Sequence, residues 1–114
     1  MTLDVIDEVS RRIAENIHPQ KIVLFGSQAK NTPSRHSEID LLVIVKDQNH
    51  LASLKKRERY GEILKLFPHK GFGLDVIVLT EKEIERVAAE NEGEWDLILE
   101  ILKDGKTIYY KCQE

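Results

Sequence analysis

Residues 21–46 constrain the fold of this 114-residue chain more than any other stretch. An apolar run at 22–25 ends at Gly26, a polar and turn-rich passage follows, and a second apolar run occupies 41–45. Both runs are too continuously apolar for half-exposed strands, so they predict central strands that are covered on both faces. Pro33 and its polar neighbours predict a loop between them, after a short helix that follows Gly26.

The remaining segments predict helices that alternate with strands. We expect helices over the N-terminal segment as far as Pro19, at 51–67, from Thr80 to about Asn91, and at 94–103, and strands at 74–79 and 107–110. This order predicts one α/β domain over residues 1–114, in which helices pack on a small mixed sheet.

Three local patterns refine these helices. Thr80 and Glu83 have the spacing of a capping box at a helix N-terminus. His18 precedes Pro19, which favours an extended backbone at the histidine. In the last helix, the apolar residues expected to point inward are Trp95, Ile98, Leu99 and Leu102.

Charge and composition exclude several classes of function. The net charge of -3 does not favour general attachment to nucleic acid or to an anionic membrane. No apolar run approaches the roughly 20 residues that a membrane helix needs, and the N-terminus lacks the apolar core of a signal peptide. The single cysteine, Cys112, has no partner for a disulfide or a cysteine zinc site. We therefore expect a cytoplasmic protein.

Three acids, Glu38, Asp40 and Asp75, fall at or near the starts of predicted strands. Taken singly, each is most simply a solvated or turn-capping residue. Glu38 and Asp40 are spaced i, i+2, however, so their side chains share one side of a strand. Asp75 lies in an otherwise apolar strand, where an unpaired carboxylate is costly to bury, and it can join the pair if its strand lies beside theirs.

Such an acid cluster predicts a site for one or two Mg²⁺ ions and phosphate chemistry. Asp75 could help to deprotonate an incoming hydroxyl. Gly26 would let the backbone approach the phosphates, and the Ser27 hydroxyl with the following N–H groups would hold a terminal phosphate at a helix N-terminus.

The chain combines Gly26-Ser27, an acid pair about ten residues later and a further strand acid. This combination resembles the signature of the polymerase-β-type nucleotidyltransferase superfamily. The short length is similar to that of its minimal branch, the MNT proteins of bacteria and archaea. The resemblance covers residues 21–79, and the closing Ile108-Tyr109-Tyr110 is also typical. It implies a polymerase-β-like nucleotidyltransferase fold, with Mg²⁺ as cofactor and ATP as substrate.

The resemblance also implies roles for individual residues. Gly26 and Ser27 would bind the triphosphate, and Glu38 and Asp40 the metals. Asp75 would contact a metal and the attacking hydroxyl. Two positions depart from the family pattern: Glu38 replaces the usual Asp, and Lys30-Asn31 replaces the usual Arg-Gly, although Lys30 keeps a positive charge near the phosphates.

In this resemblance the nucleotide-binding core occupies nearly all of the chain. The acceptor is therefore expected to come from a second molecule, most simply a partner protein. MNT proteins pair with helical HEPN proteins, often as antitoxins, and transfer AMP from ATP to a tyrosine of the partner. The alternative is a catalytically weak or inactive nucleotide-binding module that neutralises its partner by direct contact, or a scaffold that responds to nucleotide. Exposed apolar positions on the first helix or at 94–103 could serve partner docking or a homo-oligomer.

Overall fold

The two continuous apolar runs form the centre of a four-stranded sheet. The computed structural model describes residues 3–26, 38–68, 73–90 and 93–111, with the backbone alone at 3, 4, 38, 90 and 93–96. The elements in chain order are α1 (Leu3–Ile17), β1 (Lys21–Phe25), β2 (Glu38–Val45), a 3₁₀ helix (His50–Ser53), α2 (Lys56–Leu64), β3 (Gly73–Thr80), α3 (Glu81–Glu90), α4 (Gly93–Asp104) and β4 (Lys106–Tyr110). The loop and short helix predicted after Gly26 lie outside the described residues. None of the described helices is long and apolar enough to cross a membrane.

The strand order in the sheet is β3-β2-β1-β4. β1 pairs antiparallel with both β2 and β4, while β2 and β3 run parallel. The two apolar runs therefore lie in the two central strands, as their composition predicts. The predicted α/β fold with a small mixed sheet is confirmed, and β3 does lie beside β2.

Side chains that alternate along the strands build an apolar core on each face of the sheet. One face packs against α1 and α2 through residues that include Ile13, Leu41 and Val43. The opposite face packs against α4 through Leu42 and Ile101, among others. Helices therefore cover both faces, which explains why the central strands carry no polar alternation.

The helix predicted at 51–67 is wrong at its beginning. A 3₁₀ helix capped by the Asn49 side chain, which accepts a hydrogen bond from the Leu51 N–H, comes first. Leu54 and Lys55 are extended, with ψ of 156° and 155°, and α2 begins only at Lys56. The break is stabilised because carbonyls of the 3₁₀ segment accept hydrogen bonds from the Arg59 side chain, described below, in place of helical N–H groups.

Two smaller predictions are also wrong. His18 has a φ of 56°, a left-handed conformation and not an extended one, and its N–H donates to the Ala14 carbonyl. The hydrogen bond that closes the C-terminus of α1 outweighs the preference for an extended backbone before Pro19. In α4, Leu99 is 45% exposed, and Ile101 is buried beside Ile98. The side chain of Trp95 is outside the described residues.

The Arg59 side chain is 3% exposed and connects four elements. It donates hydrogen bonds to the carbonyls of Leu51, Ala52 and Leu54, and to that of Val78 in β3. It also forms a two-armed ion pair with Glu83 of α3, with N–O distances of 2.7 and 3.1 Å. One guanidinium thus joins the 3₁₀ segment, α2, β3 and α3.

The predicted capping box at the start of α3 is confirmed. Glu83 accepts a hydrogen bond from the Thr80 N–H, and the Thr80 hydroxyl accepts one from the Glu83 N–H. The same carboxylate that binds Arg59 therefore also caps the helix. The sequence predicted the cap and gave no sign of the ion pair.

We expect Arg59→Met to lower the free energy of unfolding by about 3–5 kcal/mol, because it leaves Glu83 unpaired and removes the donor for four carbonyls. Urea unfolding followed by circular dichroism measures the loss. The control is Arg86→Met on the exposed face of α3, which removes the same charge from solvent. Equal unfolding midpoints for the two variants would contradict the structural role of Arg59.

The pKa of Glu83 makes stability depend on pH. Burial raises this pKa, but hydrogen bonds from Arg59 and the Thr80 backbone, with the charges of Arg59 and Lys56, outweigh burial and hold it below its ordinary value of 4.5. A lowered pKa stabilises the folded state above 4.5, and this contribution disappears as the pH falls through the lowered value.

We therefore expect Glu83→Gln to be less stable than the wild type at pH 7, and the difference to shrink as the pH falls below the ordinary glutamate pKa of 4.5. Urea midpoints measured at several pH values test this. Glu85→Gln, which changes an exposed acid of the same helix, should track the wild type throughout. A difference between Glu83→Gln and wild type that stays constant with pH would refute the linkage.

Candidate functional site

Gly26 and Asp40 meet at the end of β1. In the β1–β2 register Phe25 pairs with Asp40, and Gly26 follows directly with a φ of 78°. A Cβ at position 26 would overlap the Oδ2 atom of Asp40. Glycine is thus required here for two reasons, its left-handed backbone and the close approach of the Asp40 carboxylate.

Asp40 and Asp75 are direct neighbours across the parallel β2–β3 pair. Neighbouring residues of parallel strands place their side chains on the same face of the sheet. Alternation from Asp40 leads to Leu42, and from Asp75 to Leu79, both in the core beneath α4. The two carboxylates therefore share the α4 face of the sheet, near Gly26.

The two carboxylates differ in exposure. Asp40 is half-buried, and Asp75 is exposed to solvent. The cost of burying an unpaired carboxylate therefore does not arise at Asp75, because β3 is an edge strand and Asp75, near its beginning, is exposed.

The other predicted site residues are only partly described. The backbone of Glu38 is the first residue of β2 and pairs with Gly73, and its side chain lies outside the described part of the structure. Ser27 and Lys30 lie entirely outside the described residues. The roles predicted for all six residues, including Gly26, Asp40 and Asp75, stay predictions.

The donor chemistry fits a divalent cation. Asp40 and Asp75 offer carboxylate oxygens from neighbouring positions, and Mg²⁺ is commonly held by one or two carboxylates with substrate phosphates completing its shell. Among the described side chains, which do not include that of Glu38, no three acid, histidine or cysteine groups come together as a metal site. Glu38, whose side chain is outside the described part of the structure, is the third acid that the sequence predicts for this site.

A hollow of about 140 Å³ borders the site on the side of α4. It is lined by Phe25, Gly26, Leu97, Glu100, Ile101, Asp104 and Gly105. Sequence reasoning missed it, although the i, i+4 spacing of two acids in α4 marks a shared helix face. The hollow brings α4 next to the glycine that contacts Asp40.

A family model described as "Polymerase beta, Nucleotidyltransferase" matches residues 7–114. The chain belongs to this nucleotidyltransferase family. A solved structure from Sulfolobus solfataricus, described as a "putative nucleotidyltransferase", aligns with a TM-score of 0.62 and 22% identity, over 96% of this chain and 80% of that one. At this identity the likeness supports the polymerase-β-like fold alone. No curated protein matches the chain.

The range of the family match includes the residues of the candidate site. The polymerase beta nucleotidyltransferase match spans β1, β2 and β3, and thus includes Gly26, Asp40 and Asp75. The match concerns the domain as a whole and assigns no role to a single residue. The geometry of Gly26, Asp40 and Asp75, and not the match, makes this group of residues the candidate active site.

We expect Gly26→Ala to destabilise the protein by about 1–2 kcal/mol, because alanine is strained at positive φ and its Cβ displaces the Asp40 carboxylate. Gly61→Ala in α2 is the matched control. No atom lies within 4 Å of a Cβ built there, and alanine should stabilise the helix by about 0.5–1 kcal/mol. Urea unfolding of both variants tests whether the two changes in the free energy of unfolding have opposite signs. A Gly26→Ala variant as stable as wild type would contradict the close contact between Gly26 and the Asp40 carboxylate.

Proposed function

We propose that this protein is a magnesium-dependent nucleotidyltransferase that transfers AMP from ATP to a tyrosine hydroxyl of a HEPN-type partner protein. In this role it acts as the antitoxin of a toxin–antitoxin pair. The observation that carries the proposal is the juxtaposition of Asp40 and Asp75 in register, with the Asp40 carboxylate against Gly26. Family membership supports nucleotidyl transfer, and the partner and acceptor rest on the MNT resemblance.

The charges of the site and of the nucleotide require a cation between them. A triphosphate beside two carboxylates is repelled unless positive charge lies between them. When bound, Mg²⁺ supplies that charge and stabilises the charge that develops on the phosphate oxygens. The close packing of Asp40 against Gly26 limits how far its carboxylate can move, so one side of the site is fixed before nucleotide binds.

Asp75 suits the role of proton acceptor. Its exposed carboxylate at an edge strand is accessible to a hydroxyl carried by a second macromolecule. In the proposed reaction the hydroxyl oxygen bonds to the α-phosphorus of ATP, the bond to the β-phosphate oxygen breaks, and pyrophosphate leaves. The hydroxyl proton passes to Asp75 and from there to solvent.

The exposure of Asp75 favours a large acceptor over a small metabolite. An exposed Asp75 suits a hydroxyl presented on the surface of another protein.

The test is the intact mass of a HEPN-type protein that forms a stable complex with this chain, after incubation with ATP and Mg²⁺. We expect a gain of one or more AMP units. Asp40→Asn should abolish the gain, and Asp75→Asn should slow it by about 100-fold or more while ATP binding is retained. Asp7→Asn, an exposed acid of α1, is the control and should transfer AMP at the wild-type rate.

Two outcomes would overturn the proposal. Full transfer by Asp40→Asn would show that the acid pair is not the catalytic site. A stable complex with no mass gain, in which Asp40→Asn neutralises the partner as well as wild type does, would favour the alternative of neutralisation by contact. The substitution of Glu38 for the usual Asp is the sequence feature that motivates this second function.

A further inference from the structure

Two hollows on the α4 side of the molecule meet at one exposed leucine. The first measures about 360 Å³ and is lined by residues of α2, β3, α3 and α4. The second is the hollow of about 140 Å³ beside Gly26. Leu97 lines both. We call the two hollows with Leu97 between them the Leu97 surface.

Leu97 is 51% exposed, although it stands among apolar neighbours. The aliphatic residues that line the first hollow with Leu97 are Val76, Ile77, Val78, Leu79, Val87 and Ile98. A single exposed leucine is ordinary, but one that joins an apolar hollow forms part of a larger apolar patch. Contiguous apolar surface of this kind is typical of a protein–protein contact.

The charges at the two ends of the Leu97 surface are opposite. Among the residues that the structure describes, the first hollow is bordered by Lys56 and Arg57 and by no carboxylate. The second is bordered by Glu100 and Asp104 and by no cation, again counting the described residues. One surface therefore carries a basic end and an acidic end with an apolar centre.

This arrangement is self-complementary. In a two-fold symmetric contact the same patch meets itself in the opposite direction, so the basic end of each copy faces the acidic end of the other. The apolar centre then packs against its own symmetry mate. The occupant that matches both the charges and the apolar centre is a second copy of this chain.

Hydrogen bonds along the outer edge of β3 favour the packing of a helix over the addition of a strand. The outward carbonyl of Leu74 accepts a hydrogen bond from the Tyr60 hydroxyl at 2.9 Å. The Val78 carbonyl accepts one from Arg59 at 3.0 Å. An added strand would need these carbonyls as acceptors, so the first hollow suits side chains projecting from a helix.

We propose that two copies of this chain form a dimer about a two-fold axis near Leu97, with α4 of each copy packed on the Leu97 surface of the other. Arg57 of each copy pairs with Glu100 of the second. Because the acidic hollow borders Gly26, the dimer also brings a cationic side chain of one copy to the margin of the other copy's candidate site. The dimer does not require nucleotidyl transfer and stands apart from the proposed function.

Charge reversal at the two ends tests the dimer. Arg57→Glu and Glu100→Arg each place like charges together at both symmetric contacts, so each variant alone should raise the dimer dissociation constant by about tenfold or more. An equimolar mixture of the two variants should dimerise again, because every contact in the mixed dimer is oppositely charged. Sedimentation equilibrium measures all three samples, without nucleotide.

The mixture separates an interface effect from a folding effect, since two misfolded variants would not rescue one another. Arg11→Glu on the exposed side of α1 is the control and should dimerise as the wild type does. Leu97→Asp should give a monomer with an unchanged circular dichroism spectrum. A monomeric wild type, or a mixture no more dimeric than the separate variants, would overturn the proposal, whatever the result of the AMP-transfer assay.

Discussion

The buried guanidinium of Arg59 is the interaction on which the arrangement of this domain depends. β3 has a neighbouring strand on one side only, and Arg59 supplies its outer side with a hydrogen bond to the Val78 carbonyl. The same side chain ties the 3₁₀ segment to α2 and binds Glu83 at the start of α3. Since Asp75 belongs to β3, the position of the exposed site carboxylate depends on a buried cation that is not itself part of the candidate site.

The candidate site combines three strands that are fixed in different ways. The antiparallel β1–β2 pair sets Asp40 against Gly26, and the parallel β2–β3 pair sets Asp75 beside Asp40. The result is one carboxylate held in a packed environment and another open to water. In the proposed reaction the two carboxylates would have different roles. Asp40 would orient the bound group, and Asp75 would contact the incoming hydroxyl.

Much of the fold could be predicted from local pattern, because a strand covered on both faces has to be continuously apolar. The meeting of Asp40 and Asp75 was predictable only on the condition that their strands are neighbours, and they are. Arg59 could not be predicted, since it follows Lys55, Lys56 and Arg57 in a run that is typical of a solvated helix face. Its burial depends on carbonyls that only the tertiary fold brings together, and the break at Leu54 follows from the same contacts.

The parallel pairing of β2 with β3 also bears on how the site forms. β1 and β2 are antiparallel, whereas β2 and β3 are joined only by a long crossover through the 3₁₀ segment and α2, so their contacts are distant along the chain and slow to form. Gly26 and Asp40, by contrast, meet through the antiparallel β1–β2 pair, whose strands are closer along the chain. One half of the candidate site is therefore built from near neighbours in the sequence, and the other half waits for a distant strand.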